Sequence, residues 1–230
     1  MATMRASINP LACIPLEMPQ PTDPPTPDAG RLLEYLFAPE AEATAETFVR
    51  RYREVAFVAA AFPIAPAEPT ILQKLVWPLR HALGSYCLAD YLGCVALCGM
   101  VGEMVAILLW EISPYPRANP PLGEREQRQL FGRTFEQLGQ DRRTDVLRGF
   151  RLIDDETKAA FDALRTIRKR YLHLLSEPHD SLAADARSAL EATRKVVAFV
   201  LGLTFKDGAV GLRQDLVAYL DARTPPEPTK

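Results

Sequence analysis

The residues best suited to chemistry lie in one short basic stretch. It holds four cations, one tyrosine and one histidine: Arg165, Arg168, Lys169, Arg170, Tyr171 and His173. An arginine stays charged and its planar fork matches phosphate oxygens, whereas a histidine titrates near neutral pH. This combination suits a reaction in which Arg168 holds a phosphate group and His173 moves a proton.

Arg168, four intervening residues and His173 resemble the Arg-x4-6-His signature of the HEPN superfamily of nucleotide-binding domains. This resemblance implies cleavage of RNA without a metal ion, a reaction that needs just these two groups. A base removes the proton of the 2′-hydroxyl, and a cation stabilises the charge that develops on the phosphorus oxygens. We therefore predict His173 as the general base and Arg168 as the phosphate clamp, with no metal and no cofactor. The neighbouring cations, Arg165, Lys169 and Arg170, would bind the RNA backbone, and Tyr171 would stack on a base or fill the core with its hydroxyl at the rim.

The resemblance covers Leu83 to Gly202 and implies an all-helical bundle that is often a homodimer. Many members are metal-independent RNases that cut single-stranded RNA and leave a 2′,3′-cyclic phosphate. Others, including proteins similar to the mannitol repressor, are inactive and act through protein partners. Active members usually carry Asn, Asp or His after the arginine, where this chain has Lys169.

The basic stretch belongs to a segment, Asp154 to Pro178, that is typical of a helix. Asp154 or Asp155 can accept the free N–H groups at its start, and Pro178 follows a plausible end. Its apolar residues recur at helical spacing: Phe161, Leu164, Tyr171, Leu172 and Leu175.

Helical geometry separates the two proposed catalytic residues. Five residues of α-helix turn the direction by about 500° and rise about 7.5 Å, so Arg168 and His173 would point about 140° apart. Three arrangements could bring them to one phosphate: a helix that loosens near Tyr171, an arginine side chain that curls back, or two chains that share a cleft.

A second segment, Ser85 to Ile112, is the most apolar part of the chain, and it predicts a central helix buried on most sides. Gly93, Gly99 and Gly102 would let neighbouring helices approach closely. Its inner part is also long enough to span a bilayer. Glu103 argues against a span, because a central carboxylate costs about 2.5 to 3.5 kcal/mol on insertion scales.

Glu103 needs either solvent or a cationic partner, because a buried carboxylate is costly without one. It could lie on an exposed stripe, form a structural ion pair, or orient Arg168 in a functional pocket. A further basic run supplies Arg142, Arg143, Arg148 and Arg151, which we interpret as solvated surface or as an RNA-binding rim.

The fold class that these patterns predict is all-α, an antiparallel HEPN-like bundle with additional terminal helices. Of 230 residues, 48% are hydrophobic and only 12 are glycine, which favours helices over loops. We expect a Pro-rich arm over 1–29, N-terminal helices over 30–69, the bundle over 70–223 and a tail over 224–230. No strand hairpin is expected, and the last helix should run from Val210 to Ala222.

One N-terminal helix is predicted from Ala41 to Phe62. Phe48, Tyr52 and Val55 share its apolar face, whereas the arginines at 50, 51 and 53 are expected in solvent.

Three classes of function remain open at this stage. The first is a single-stranded RNase, and the second is a non-catalytic regulatory or adaptor module that acts through protein contacts. The third, a membrane-associated protein, is disfavoured, and we expect a cytoplasmic protein that does not enter the membrane. The net charge of −2 gives no global attraction to nucleic acid, so RNA would have to bind a local patch. The basic stretch also has a purely structural interpretation, because cations near the end of a helix favourably meet its dipole.

Overall fold

The structure, a computed structural model, describes residues 45–56, 66, 68–118, 120–173, 178–202, 204–206 and 209–223, and only the backbone of residues 173, 204–206, 209 and 210. This part of the protein is all-α, as predicted, apart from one pair of three-residue strands. The α-helices are α1 (Ala45–Ala56), α2 (Pro69–Ile71), α3 (Trp77–Cys87), α4 (Tyr91–Ile112), α5 (Pro114–Arg117), α6 (Glu124–Phe131), α7 (Gln140–Gly149), α8 (Asp155–His173), α9 (Leu182–Leu201) and α10 (Gln214–Asp221). A π-helical turn (Leu72–Val76) joins α2 to α3, and a 3-10 turn (Phe135–Gln137) precedes α7. The proposed arm over 1–29 and tail over 224–230 lie outside the described residues.

Helix α4 is the centre of the bundle and packs against α3, α8 and α9. The Asp90 carboxylate accepts the N–H of Gly93 at 3.0 Å and so fixes the start of the helix. Near its end, the buried ring of Trp110 stacks on Phe135 with centroids 4.7 Å apart. Burial on most sides explains why its sequence shows almost no polar face.

By length and composition alone, α4 could cross a membrane, which is true of no other helix in the described part of the chain. Half of its most apolar window is buried inside the protein. Core helices of soluble proteins pass the same test, so this property is weak evidence for a span.

Helix α8 lies close to α4 because α4 has glycines at the contact. A Cβ atom at Gly99 would lie 2.5 Å from the Cδ atom of Arg168, and one at Gly102 would lie 3.0 Å from Leu164. The predicted close approach of a neighbouring helix is therefore confirmed at Gly99 and Gly102. At Gly93 the atoms nearest to a Cβ atom belong instead to Asp90, which caps the same helix. The start of α8 is also as predicted, since Asp154 accepts the N–H of Thr157 at 2.7 Å. The hydroxyl and N–H of Thr157 hold the pKa of Asp154 below its ordinary value.

The face of α1 differs from the prediction. Val55 and Arg51 are buried, whereas Phe48 and Tyr52 are exposed. Arg51 turns inward because its guanidinium donates to the backbone carbonyl of Cys87 at the end of α3. A hydrogen-bond acceptor on another helix thus outweighs the local hydrophobic pattern.

The C-terminal segment also differs, since it contains the hairpin that was not expected. Strands β1 (Thr204–Lys206) and β2 (Ala209–Gly211) pair antiparallel, with Phe205 opposite Val210. Gly202 ends α9 in the left-handed conformation, at φ 59°, which turns the chain back. The last helix therefore begins at Gln214 rather than at Val210.

Candidate functional site

Glu103 lies between two arginines that come from different parts of the sequence. Its Oε1 atom accepts a hydrogen bond from Nη1 of Arg168 on α8. Its Oε2 atom lies 3.6 Å from Nη1 of Arg143 on α7. A pair between Glu103 and Arg168 was one of the predicted alternatives, and the structure contains it. The carboxylate is thus partnered on both oxygens.

Arg143 is the more deeply placed of the two arginines. The residue is only 8% exposed, and backbone carbonyls of the 3-10 turn hold its side chain. Its Nη2 atom donates to the carbonyl of Glu136 at 2.6 Å, and its Nε atom donates to that of Phe135 at 3.4 Å. Within the described residues its Nη1 atom makes no hydrogen bond, so the ion pair with Glu103 is its one polar contact there.

Glu103 and Arg168 form part of the wall of a pocket of about 250 Å³ between α4, α7 and α8. The lining residues are Gly99, Glu103, Gln140, Asp141, Leu164, Arg165, Arg168 and Lys169. Three cations on one face of α8 and two carboxylates, those of Glu103 and Asp141, therefore line the same pocket. The Arg168 side chain is 34% exposed, so its guanidinium is accessible from the pocket.

The pocket also contains the start of α7. Gln140 and Asp141, the first two residues of that helix, line it, and the preceding Gly139 supplies no side-chain cap. The N-terminus of a helix carries partial positive charge and free N–H groups, which favours an anion nearby. The carboxylate of Asp141 accepts the N–H of Arg142 at 2.9 Å and so satisfies one of these free N–H groups.

Two of the pocket cations are not engaged by the rest of the described chain. The side chains of Arg165 and Lys169 are exposed, and neither makes an ion pair or a side-chain hydrogen bond to another described residue. Their positions are four residues apart, which places them on the same face of α8 as Arg168. A ligand with negative charge would find these two cations without having to displace a protein carboxylate.

The other two residues that were predicted to bind RNA lie elsewhere. Arg170 pairs with Asp185 of α9, with Nη1 and Oδ2 2.6 Å apart, and the Tyr171 hydroxyl donates to the same oxygen at 2.6 Å. Tyr171 is 7% exposed, so its ring is a core group rather than an open platform for stacking on a base. The Tyr171 hydroxyl and the Asp185 carboxylate raise the pKa of the Arg170 guanidinium above its ordinary value.

The proposed general base, His173, is the last residue of α8, and its side chain lies outside the described part of the structure. Helix α8 is regular α-helix through Tyr171, so the helix does not loosen there to bring positions 168 and 173 together. Instead, position 173 is one turn, about 6 Å, beyond Lys169 on the same helix face. Of the three pocket cations, Lys169 is therefore the nearest to position 173 on that face.

Sequence reasoning did not single out the α7 side of this site. Arg143 was assigned to solvent or to an RNA-binding rim together with three other arginines, and the structure instead buries it. Gln140 and Asp141 were not assigned at all. No spacing rule could have found them, because α7 and α4 meet only through the tertiary fold.

Comparison of the chain with protein-family models, with curated proteins and with solved structures found no match in any of the three. The HEPN resemblance therefore rests on the Arg-x4-His spacing and on the order of the helices, and it stays a prediction.

Proposed function

We propose that this protein is a HEPN-like RNA-acting protein that binds the phosphate backbone of single-stranded RNA in the pocket between α4, α7 and α8. The binding residues are Arg165, Arg168 and Lys169. In the same proposal the protein is a cytoplasmic, metal-independent endoribonuclease that uses His173 as its general base.

The observation that carries the proposal is the arrangement of three cations at one opening. Arg168 is held by Glu103, whereas Arg165 and Lys169 reach solvent from the same helix face. An oriented guanidinium loses little freedom when a phosphate binds, and two further cations can follow the backbone to the next phosphates. Such a patch suits single-stranded nucleic acid despite the acidic net charge.

The catalytic step requires His173 to lie near the bound phosphate. Position 173 follows Lys169 by one turn, so a phosphate at Lys169 would be closer to the histidine than one at Arg168. A homodimer would offer a second route, in which the arginine of one chain meets the histidine of its partner. In both arrangements His173 takes the 2′-hydroxyl proton as the 2′-oxygen attacks the phosphorus, and a cation stabilises the phosphorane oxygens. The bond from phosphorus to the 5′-oxygen then breaks, and the 5′-oxygen leaves as a hydroxyl with the proton that His173 returns.

A second candidate function is a non-catalytic regulatory module that binds a protein partner. Two observations favour it: Arg168 already has a carboxylate partner, and Tyr171 is closed within the core. A guanidinium with that partner is a weaker phosphate ligand than a free one. The cleavage experiment distinguishes the two functions directly.

The test is cleavage and binding of a labelled single-stranded RNA in EDTA. Wild-type protein should cut the RNA to a 2′,3′-cyclic phosphate. His173→Ala should lose at least about 100-fold in rate, the usual contribution of general acid–base catalysis, and keep its affinity. Arg168→Ala should lose both rate and affinity.

The matched control is Arg187→Ala, because Arg187 also pairs with a carboxylate, Glu191, but does not line the pocket. It should leave rate and affinity unchanged. RNA binding that depends on Arg168, without cleavage by the wild type, would reject the catalytic step and keep the RNA-binding site. No binding by the wild type would reject an RNA-acting protein altogether.

A further inference from the structure

Glu103 poses a difficulty for any phosphate ligand of Arg168. The two anions would compete for one guanidinium, and a carboxylate that simply gave up its partner would be left partly buried without compensation. Binding would therefore be weak unless Glu103 had another partner to accept it.

Arg143 is suited to be that partner. Its Nη2 and Nε atoms are fixed by backbone carbonyls, so its guanidinium has a set position. Its remaining nitrogen, Nη1, makes no hydrogen bond within the described residues and faces Oε2 of Glu103 at 3.6 Å. That distance is beyond hydrogen-bond length, and a small rotation of the carboxylate would shorten it.

The two arginines differ in their access to a ligand. The Arg143 side chain is 9% exposed, against 34% for Arg168, and only Arg168 lines the pocket. A phosphate can reach Arg168 but not Arg143. The carboxylate can reach both.

We propose that Arg143 is a positioning residue that takes over the carboxylate of Glu103 when a phosphate group binds Arg168. In the structure Glu103 holds Arg168 at the pocket. On binding, the phosphate oxygens take the Arg168 guanidinium, and Glu103 forms a full hydrogen bond with Nη1 of Arg143. Both guanidinium groups and the carboxylate keep a partner of opposite charge throughout, and no proton is transferred. This inference rests on the proposed function, because it describes how the same pocket accepts its ligand.

The experiment is a double-mutant cycle on affinity for a labelled single-stranded oligouridylate, with His173→Ala in every protein so that the RNA stays intact. Arg143→Gln should weaken binding about tenfold, because Glu103 then has no alternative partner and stays on Arg168. Glu103→Gln should bind at least as well as the parent, since the competing charge is gone. In the Glu103→Gln background, Arg143→Gln should change affinity by less than about twofold.

Arg143→Lys is the second variant, in case the loss of the buried guanidinium impairs folding. It keeps the charge but lacks the fork, so its smaller loss of affinity should also vanish in the Glu103→Gln background. Arg213→Gln is a matched control, because Arg213 also donates to a backbone carbonyl and to a carboxylate, away from the pocket. It should leave affinity unchanged.

The outcomes separate the two proposals. Suppose that RNA binding depends on Arg168 and that Arg143→Gln lowers affinity equally with Glu103 present and in the Glu103→Gln background. The exchange of Glu103 from Arg168 to Arg143 is then overturned, whereas the RNA-binding site is retained. RNA binding that depends on Arg168, with no loss of affinity in either Arg143 variant, also overturns the exchange and retains the RNA-binding site. Absence of Arg168-dependent binding overturns both.

Discussion

The basic stretch of α8 divides into two regions with opposite properties. Arg165, Arg168 and Lys169 face a pocket, and two of them have no partner among the described side chains. Arg170 and Tyr171, the next two residues, are tied to Asp185 of α9. Adjacent cations thus have different surroundings because each residue turns the helix by about 100°. Cations that are adjacent in the sequence therefore do not form a single binding surface. The position of each one around the helix axis decides whether it faces the pocket or helix α9.

The two regions should also contribute to different properties, the Asp185 side to the stability of the fold and the pocket side to ligand affinity. The Asp185 side of the cluster joins α8 to the start of α9 and includes a buried ring, so its loss should unfold the protein more readily. The pocket side has exposed cations and a carboxylate with two partners, so its loss should change ligand affinity instead. Three substitutions test this division, from the largest expected effect to the smallest.

Tyr171→Ala should lower the free energy of unfolding by about 3 kcal/mol, because it removes a buried aromatic ring and leaves a cavity. Tyr171→Phe keeps the ring and loses only the hydroxyl, so about 1 kcal/mol is expected. Urea unfolding measures both. RNA affinity of the folded Phe variant should equal that of the wild type. A large loss of affinity with little loss of stability would contradict this division and favour stacking on a base, which was one of the two roles predicted for Tyr171.

Gly99→Ala should weaken RNA binding about tenfold, equivalent to 1.4 kcal/mol, without a comparable loss of stability. The new Cβ atom would lie 2.5 Å from Cδ of Arg168, so the arginine must leave its path to Glu103. The gain in helix propensity from glycine to alanine, about 1 kcal/mol, offsets the strain in the unfolding free energy.

Gly84→Ala is the control for that gain, since a Cβ atom at Gly84 of α3 meets nothing within 4 Å. It should raise stability and leave RNA affinity unchanged. Equal affinities for the Gly99→Ala and Gly84→Ala proteins would show that the placement of Arg168 over Gly99 does not matter for the ligand.

Arg165→Gln should have the smallest effect, about a threefold loss of RNA affinity, with a change in stability within about 0.5 kcal/mol. Each phosphate contact on a single strand contributes about 0.7 to the slope of log affinity against log salt, so the slope should fall by that amount. Titrations at several salt concentrations measure it. An unchanged slope would remove Arg165 from the binding surface and leave Arg168 and Lys169 as its cations.

Much of the helical framework was predictable from local patterns. Asp154 at the start of α8, the apolar character of α4 and the close approach at Gly99 and Gly102 were all expected, and all are found. These features depend on the 3.6-residue repeat, on caps and on residue size, which neighbours in the sequence determine. The predictions were wrong where a side chain contacts a group that is distant in the sequence. Arg51, for example, was expected in solvent but is buried, and its guanidinium donates to the carbonyl of Cys87.

The sequence by itself determined that a positive cluster and a central carboxylate would both exist on long helices. Only the tertiary structure decided which arginine pairs with Glu103, and that Arg143, 40 positions away, would be its second partner. The reason is physical: the periodicity of one helix fixes directions around its own axis, whereas an ion pair between helices depends on their relative register and distance. Packing of α8 against the glycines of α4, and of α7 beside them, sets both.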